Sequence, residues 1–234
     1  MEAQPVRKLV TPSESGPPTR CGSNEVVLVI SGMGPRNARS RAEATLGTTS
    51  GGSVASKPDA VLVIGLCGGL TASLPEGRIV AYSECRSADA SEPVLPCSLT
   101  VLDSMLERLE SSAIRCERVV GLTSARIATT RNERLALAYS GAVVVDMESH
   151  PIVKAASTAG IPAAVLRVVA DSLDRELPDF NRALDDGGGL DGRKALKVAL
   201  GSPVNTARLL AANRRATQRL GEALGVVLKA PCFA

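Results

Sequence analysis

The chain has 234 residues, of which 44% are apolar and only 2% aromatic, and its formal net charge is +3. This length suits one α/β domain, although two small domains would also fit, and Val, Ala, Leu and Ile must fill the core. Because the net charge is small and aromatic residues are scarce, composition predicts neither a membrane surface nor a nucleic-acid partner.

Cysteine and histidine usage argues against a metal site. The six cysteines form no CxxC pair, and His150 is the single histidine, so zinc-type spacing is missing. No N-terminal apolar segment resembles a signal peptide, and no apolar run reaches membrane-spanning length. We therefore expect a cytoplasmic protein with reduced thiols, no metal, no cofactor and no integral membrane segment.

Apolar patterning and turn residues predict alternating strands and helices. Residues 1–24 are rich in Pro, Ser, Gly and Thr and predict an irregular arm, residues 25–228 a single domain, and residues 229–234 a tail. Strands are predicted at 25–31, 60–65, 78–83, 118–123, 142–145 and 163–169, and helices at 36–46, 100–111, 132–139, 148–159, 191–200 and 205–227. This alternation favours a doubly wound α/β fold.

Two β-branched runs, at 142–145 and 163–169, each lead into an acidic residue. Such runs are typical of buried strands in a parallel sheet. Glu148 and Asp171 follow them, and carboxylates at strand ends are costly to bury without a purpose. We expect the two to form a cleft of the kind in which α/β sheets bind ligands.

Each of these acids has a structural alternative. Glu148 can accept both hydroxyls of a ribose, or it can complement a helix N-terminus. Asp171 can be a buried, protonated acid with a raised pKa, or a capping residue. In a regular strand Arg167 shares a face with Asp171 and would lower its pKa by pairing with it; the sequence leaves these outcomes open.

Glycine-rich turns follow two of the predicted strands. Gly34, with Arg36 nearby, can present N–H groups to a phosphate, although Arg36 can equally be a solvated helix charge. The segment 65–69 predicts a glycine turn that a flat ligand can approach, or a plain tight turn. Neither segment is a P-loop or a dinucleotide fingerprint. We expect His150 to be a packed or capping residue.

Three segments that follow one another along the chain resemble the nucleoside phosphorylase and nucleosidase superfamily. This superfamily includes purine nucleoside phosphorylase and methylthioadenosine/adenosylhomocysteine nucleosidase. The three segments are 30–38, 63–70 with 77–80, and 145–149 with 167–171. Segment 173–178 adds a resemblance to the hopanoid-associated phosphorylase branch. The resemblance implies a three-layer α/β/α, doubly wound mixed sheet of the nucleoside phosphorylase type.

The function implied is cleavage of the N-glycosidic bond of an adenine nucleoside, with adenosylhopane as the branch's substrate. By resemblance, Glu148 would bind the ribose hydroxyls, Met147 would pack on the sugar, and Asp171 would protonate the purine at N7. Cys67 and Gly68 would border the base or the sugar, and Arg167 is a further predicted substrate-binding residue. The resemblance also implies a homo-oligomer, either a dimer or a hexamer.

The sequence departs from the family pattern where phosphate and water are handled. Val63 and Leu66 replace the usual phosphate-binding Arg and Ser or Thr, which favours water as nucleophile, or phosphate as a co-substrate held at Gly34 and Arg36. The family's first strand would precede Met1, so either this start is internal or the chain has lost that strand and its nucleophile-activating group. Methylthioadenosine/adenosylhomocysteine nucleosidase activity, or nucleoside binding without turnover, are the alternatives.

Overall fold

The computed structural model describes residues 19–47, 57–184 and 191–229. Within these residues the strands are β1 (Thr19–Cys21), β2 (Asn24–Val26), β3 (Val61–Gly69), β4 (Ile79–Ser87), β5 (Leu95–Pro96), β6 (Cys116–Thr123), β7 (Val144–Asp146) and β8 (Ala163–Asp171). The α-helices are α1 (Pro35–Leu46), α2 (Leu99–Ser111), α3 (Arg131–Ala138), α4 (Ser149–Thr158), α5 (Gly192–Gly201) and α6 (Pro203–Val227). The predicted alternation of strands and helices is confirmed.

Six strands form a mixed sheet in the order β5-β4-β6-β7-β3-β8. β3 is parallel to β8, and β6 is parallel to both β4 and β7. Antiparallel pairing of β7 with β3 and of β4 with β8 joins the remaining edges. The predicted mixed α/β fold is therefore confirmed, and five of the strands in addition close into a ring.

Strand β8 is the centre of the core because all nine of its residues are buried. Its side chains alternate between the two faces of the sheet, as the pleat requires. Leu166 and Val168 join a cluster with residues of α2 and α6, whereas Val165 and Val169 join a cluster with residues of α4. Helices thus cover both faces, and β8 carries its terminal carboxylate, Asp171, into an apolar surrounding.

Local sequence signals explain where several helices begin and end. Pro35 occupies the first turn of α1, and Gly47, with a φ of 67°, ends that helix in the left-handed conformation. Thr130 and Glu133 form a reciprocal capping box at the start of α3. This box positions α3, which contributes a buried arginine to the candidate site.

The prediction of a strand over residues 25–31 is wrong beyond Val26. β2 pairs only with β1 in a two-stranded hairpin and does not join the six-stranded sheet. In the described part of the chain no strand lies beside residues 27–31, so Val27 and Ile30 remain 53% and 42% exposed. The irregular arm predicted for 1–24 is likewise wrong for residues 19–24, which belong to this hairpin; residues 1–18 lie outside the described residues.

Two further expectations about the sheet need correction. The glycine turn predicted at 65–69 is instead the last part of β3, which continues to Gly69 with a register irregularity between Cys67 and Gly68. The two acid-bearing strands were expected to be parallel, but β7 runs antiparallel to β3 and β8 parallel to it. Among the described helices, none is both long and apolar enough to cross a bilayer.

Candidate active site

A buried carboxylate, Asp146 at the end of β7, organises one half of the site. Its Oδ1 accepts a hydrogen bond from Thr123 Oγ1 at 2.8 Å and from the backbone N–H groups of Glu148 and Ser149, each at 3.0 Å. Its Oδ2 accepts the Tyr82 hydroxyl at 2.9 Å. These four bonds fix the turn from β7 into α4, and with it the start of the Glu148 side chain.

The surroundings of Asp146 favour its ionised form. Burial alone would raise the pKa of this carboxyl, but the Arg167 guanidinium, 3.5 Å away, and hydrogen bonds from Ser149 and Thr123 hold the pKa below its ordinary value. Burial raises the pKa of Tyr82 well above its ordinary value, so this hydroxyl stays a donor. The Asp146 carboxylate therefore carries a buried negative charge near Glu148, and the positive charge of Arg167 balances it.

Glu148 is held in place from two sides. Its Oε1 accepts the Gly34 N–H at 3.2 Å, and its Oε2 lies 3.5 Å from Arg167 Nη2. The guanidinium also donates to Ser149 Oγ at 3.0 Å and to the Leu66 carbonyl at 3.1 Å. The Glu148 side chain is 17% exposed, so a ligand can reach it. The contacts with Gly34 and Arg167 fix the position of its carboxylate.

The contact between Gly34 and Glu148 argues against the predicted phosphate site. The N–H group expected to meet an anion already meets the Glu148 carboxylate. Arg36, the other residue predicted to hold phosphate, lies on the exposed surface of α1. A second anion beside Gly34 would be repelled by Glu148, so the structure gives this predicted phosphate site no support.

Asp171, at the end of β8, lies in a separate ion pair. Its Oδ1 lies 2.9 Å from Arg134 Nη2, and both residues are buried, at 7% and 1% exposure. Arg134 Nη1 donates to the Ser172 carbonyl at 2.8 Å. Burial raises the pKa of Asp171, one of the outcomes that the sequence left open, while the Arg134 guanidinium acts in the opposite direction.

The pairing of Arg167 with Asp171, which the sequence left open, does not occur. An irregularity interrupts the β3–β8 register, so that Cys67 faces Val169 but Gly68 faces Asp171. Positions 167 and 171 are also about 13 Å apart along the strand, too far for a direct ion pair. Arg167 pairs with Asp146 and Glu148 instead, and Arg134 takes the place predicted for it.

Gly68 separates the two halves of the site. It pairs with Val145 of β7 on one side and with Asp171 of β8 on the other. A methyl group at Gly68 would lie 2.9 Å from Asp171 Oδ1, so only glycine leaves room for this carboxylate. The acid-bearing ends of β7 and β8 therefore flank the same strand, which is where the sequence predicted two acids to face one ligand.

Three other predicted residues lie nearby. Met147 is half-buried between the two acids of its segment. The Cys67 thiol is buried, and burial raises its pKa well above the ordinary value. The Arg167 guanidinium lowers this pKa, whereas the Asp171 carboxylate raises it. His150 is a packed residue, as predicted: its ring contacts the Pro93 carbonyl at 2.8 Å.

Sequence reasoning missed Arg134 and gave Asp146 no role. Arg134 stands in a helix with charges on most turns, where a solvated arginine is the ordinary expectation. The available signal is its spacing from Leu137 and Ala138, three and four residues on, which places it on the inward face of α3. Asp146 is the first acidic residue after the apolar run 142–145, but the functional role was assigned to Glu148.

The sequence matches the model of the phosphorylase superfamily over residues 19–188. A search of the curated proteins found no match.

Several solved nucleoside hydrolases share the fold at low sequence identity. Futalosine hydrolase of Helicobacter pylori is 15% identical with a TM-score of 0.70, covering 97% of this chain and 92% of its own. S-adenosylhomocysteine nucleosidase of Streptococcus pyogenes is 17% identical with a TM-score of 0.71 and the same coverage. 5′-Methylthioadenosine/S-adenosylhomocysteine nucleosidase of Neisseria meningitidis is 15% identical with a TM-score of 0.72, covering 97% and 94%.

Proposed function

This chain belongs to the phosphorylase superfamily, and on that premise we propose that it cleaves the N-glycosidic bond of an adenine nucleoside with an apolar 5′ substituent. One observation carries the proposal. Two carboxylates, Glu148 and Asp171, follow the strands on either side of Gly68, and each lies beside its own buried arginine. Adenosylhopane is the specific substrate candidate, by the resemblance of the sequence.

The chemistry of the bond explains why two such acids are useful. As the glycosidic bond breaks, positive charge develops on the ribose and negative charge on the departing purine. Glu148 accepts hydrogen bonds from the ribose hydroxyls and stabilises the positive sugar. Asp171 donates its proton to N7 of the purine, so that the base leaves as a neutral molecule.

The paired arginines have different effects on the two acids. Arg167 holds Glu148 against Asp146 and Ser149, so that the ribose meets a fixed acceptor. Burial allows Asp171 to keep a proton before the reaction, and Arg134 stabilises the carboxylate that remains once the proton has moved. Asp171 is thereby a proton donor before bond cleavage and a tolerated anion after it.

We propose water as the nucleophile. Its oxygen bonds to C1′ of the ribose as the bond to the purine breaks, it releases one proton to solvent, and Asp171 regains from solvent the proton that it gave to the purine. Val63 and Leu66, at the positions where phosphorylases of the family hold phosphate, carry no side chain able to bind an anion, and the Gly34 N–H is bonded to Glu148. The three solved structures with this fold that are named above are likewise of hydrolases or nucleosidases. Phosphate then has no role as a co-substrate.

Adenine release tests the proposal. Methylthioadenosine and adenosylhopane are incubated with the protein, with and without phosphate, and the products are separated by chromatography. We expect adenine at the same rate in both buffers, with free sugar as the second product. A sugar 1-phosphate formed only with phosphate would contradict hydrolysis, and absence of adenine from every purine nucleoside tested on folded protein would contradict the enzymatic proposal.

A nucleoside-binding protein without turnover is the second candidate. The ion pair between Asp171 and Arg134 is the observation behind it, because the guanidinium opposes protonation of this carboxyl, against the burial that raises its pKa. It predicts calorimetric binding of a nucleoside with no adenine released over hours. Adenine release that depends on Asp171 would rule it out.

A further inference from the structure

The helices α5 and α6 present a basic, leucine-bearing surface that the proposed chemistry does not use. Residues 192–221 contain seven Lys and Arg and no Asp or Glu. In the whole chain, 27 Lys and Arg stand against 24 Asp and Glu, so without this segment acidic residues would be in excess. The small net charge of the whole chain, from which no membrane surface was expected, does not reflect this local excess of basic residues.

Helix α5 exposes its large apolar residues and turns its small ones inward. It lies against the short 3-10 helix Phe180–Ala183, and Ala195 and Ala199 are half-buried. Leu196 and Leu200, one turn apart, are instead 59% and 70% exposed. A helix that only had to pack on the protein would place leucines inward, so these two are available to another apolar phase.

Basic side chains border the exposed apolar residues on both helices. Arg193 lies three residues before Leu196, and Lys197 lies three before Leu200, so these four share one side of α5. On α6, Val204 is 61% exposed and Leu210 is 45% exposed. Arg208 and Arg214 follow these two by one helical turn each and are exposed as well.

These cations are not neutralised within the described part of the chain. The ion pairs found there include none made by Arg193, Lys194, Lys197, Arg208 or Arg214. Leucines at the border of a Lys- and Arg-rich face are typical of helices that lie in the headgroup region of an anionic bilayer. Nucleic acid would use the cations but would leave the leucines in water, and it commonly needs aromatic residues for stacking.

We propose that α5 and the first turns of α6 form a docking surface for an anionic phospholipid bilayer, which binds the protein peripherally. The leucines enter the headgroup and acyl boundary, and the surrounding guanidinium and ammonium groups pair with lipid phosphates. This surface is defined by Arg193, Leu196, Lys197, Leu200, Val204 and Arg208.

The surface adjoins the candidate active site. A cleft of about 490 Å³ lies between the start of α6 and the loop after β8, and it is lined by polar and charged residues only: Ser172, Asp174, Arg175, Glu176, Asn205 and Arg208. Ser172 directly follows Asp171. Arg208 therefore belongs both to the docking surface and to this cleft, and if the proposed function is right, on which this step alone rests, docking would bring the candidate site close to the bilayer.

Vesicle flotation of the full chain tests the docking surface. Vesicles of phosphatidylcholine with and without phosphatidylglycerol are compared at low and high salt. We expect binding to the anionic vesicles and at least about tenfold weaker binding to neutral ones, with a similar loss in high salt. Leu196→Ser with Leu200→Ser, and separately Arg193→Glu with Lys197→Glu, should each weaken binding about tenfold or more.

Matched controls separate the surface from general effects. Leu99→Ser changes a leucine of the same 59% exposure on α2, and Arg115→Glu reverses an exposed charge elsewhere; both should bind like wild type. Circular dichroism and thermal unfolding show whether each variant is folded. Hydrolysis of a water-soluble nucleoside without vesicles reports separately on the proposed function, and should be unchanged in all four variants.

Several results would overturn the proposal. A bilayer surface would be excluded if wild-type protein bound neither neutral nor anionic vesicles. It would also be excluded if the leucine variants floated with anionic vesicles as wild type does. Binding of an RNA oligonucleotide that the leucine substitutions leave intact, without vesicle binding, would indicate a nucleic-acid surface. Dissociation of an oligomer by the leucine substitutions, again without vesicle binding, would assign the surface to a second copy of the chain.

Discussion

Replacing Asp146 with Asn tests the buried charge beneath the candidate ribose site. The substitution keeps the size of the side chain and an oxygen that can accept from Thr123 and the α4 backbone. It removes the negative charge that faces Arg167 at 3.5 Å, where both side chains are almost fully buried, at 0% and 2% exposure. The remaining partners of Arg167 include the partly exposed Glu148 and the neutral acceptors Ser149 Oγ and the Leu66 carbonyl.

The cost follows from leaving a buried cation without its main counter-charge. Breaking a buried pair by neutralising one partner typically costs about 3–5 kcal/mol, out of a total stability of about 5–15 kcal/mol. Asp103→Asn is the matched control, because Asp103 pairs with Arg118 at the surface, where 59% and 44% of the two side chains are exposed. Exposed pairs contribute about 0–1 kcal/mol, so this control should be nearly neutral.

Urea unfolding followed by circular dichroism measures both variants. At pH 7 the midpoint of Asp146→Asn should fall by about 1 M or more, and that of Asp103→Asn should hardly move. The folded-state pKa of Asp146 is lowered, so its carboxylate contributes stability that is present above the unfolded pKa of about 3.9 and is lost as pH falls through the folded pKa. The gap between wild type and Asp146→Asn should therefore narrow below about pH 4. Equal unfolding midpoints for the two variants at pH 7 would refute the buried-charge reasoning.

Three other substitutions probe the two acids. Arg134→Gln removes the cation that lowers the pKa of Asp171, so the pH above which kcat declines should move upward. If that pH is unchanged or lower in the variant, the pairing of Arg134 with Asp171 is contradicted. Gly68→Ala should lower kcat about tenfold or more, since its methyl group would displace the Asp171 carboxylate, and wild-type kcat would show that this close approach is unimportant. Glu148→Ala should raise KM about 10- to 100-fold for a ribonucleoside but little for an analogue lacking both ribose hydroxyls; equal losses on the two substrates would remove the ribose assignment.

The sequence was informative wherever burial follows from local pattern. Helix α2 was predicted from 100 and begins at Leu99, and both it and the prediction end at Ser111. β8 was recognised by its β-branched run, because a fully buried strand needs no alternation with polar residues. The same pattern indicated that Asp171 would be buried, but the direction of its pKa shift stayed open until its charged neighbours were known.

Pairing between distant segments was not readable in the same way. The β2 run contains Val26, Val27 and Val29 and has the composition of a strand, yet residues 27–31 have no described neighbour to complete a ladder. β7 has a pattern that fits either direction, so its antiparallel pairing with β3 depends on how the ring closes. Secondary structure is set largely by local pattern, whereas strand direction is decided by the tertiary fold.

The partners of the candidate acids depend on the tertiary fold. Regular alternation places Arg167 and Asp171 on one face, but four residues of strand span about 13 Å, which is too far for a direct ion pair. Arg167 pairs with Glu148, and Asp171 pairs with Arg134, which comes from a helix far away in sequence. No periodicity in the sequence marks these partners, so the two ion pairs became visible only in the folded chain.

Asp171→Asn gives the most direct test of the central claim, that this residue protonates the departing purine. The rate of adenine release from methylthioadenosine is measured for wild type and variant, together with nucleoside affinity by calorimetry. Loss of a general acid predicts a rate lower by about 10²- to 10⁴-fold with affinity within a few-fold of wild type. Adenine release by Asp171→Asn at the wild-type rate would contradict the account.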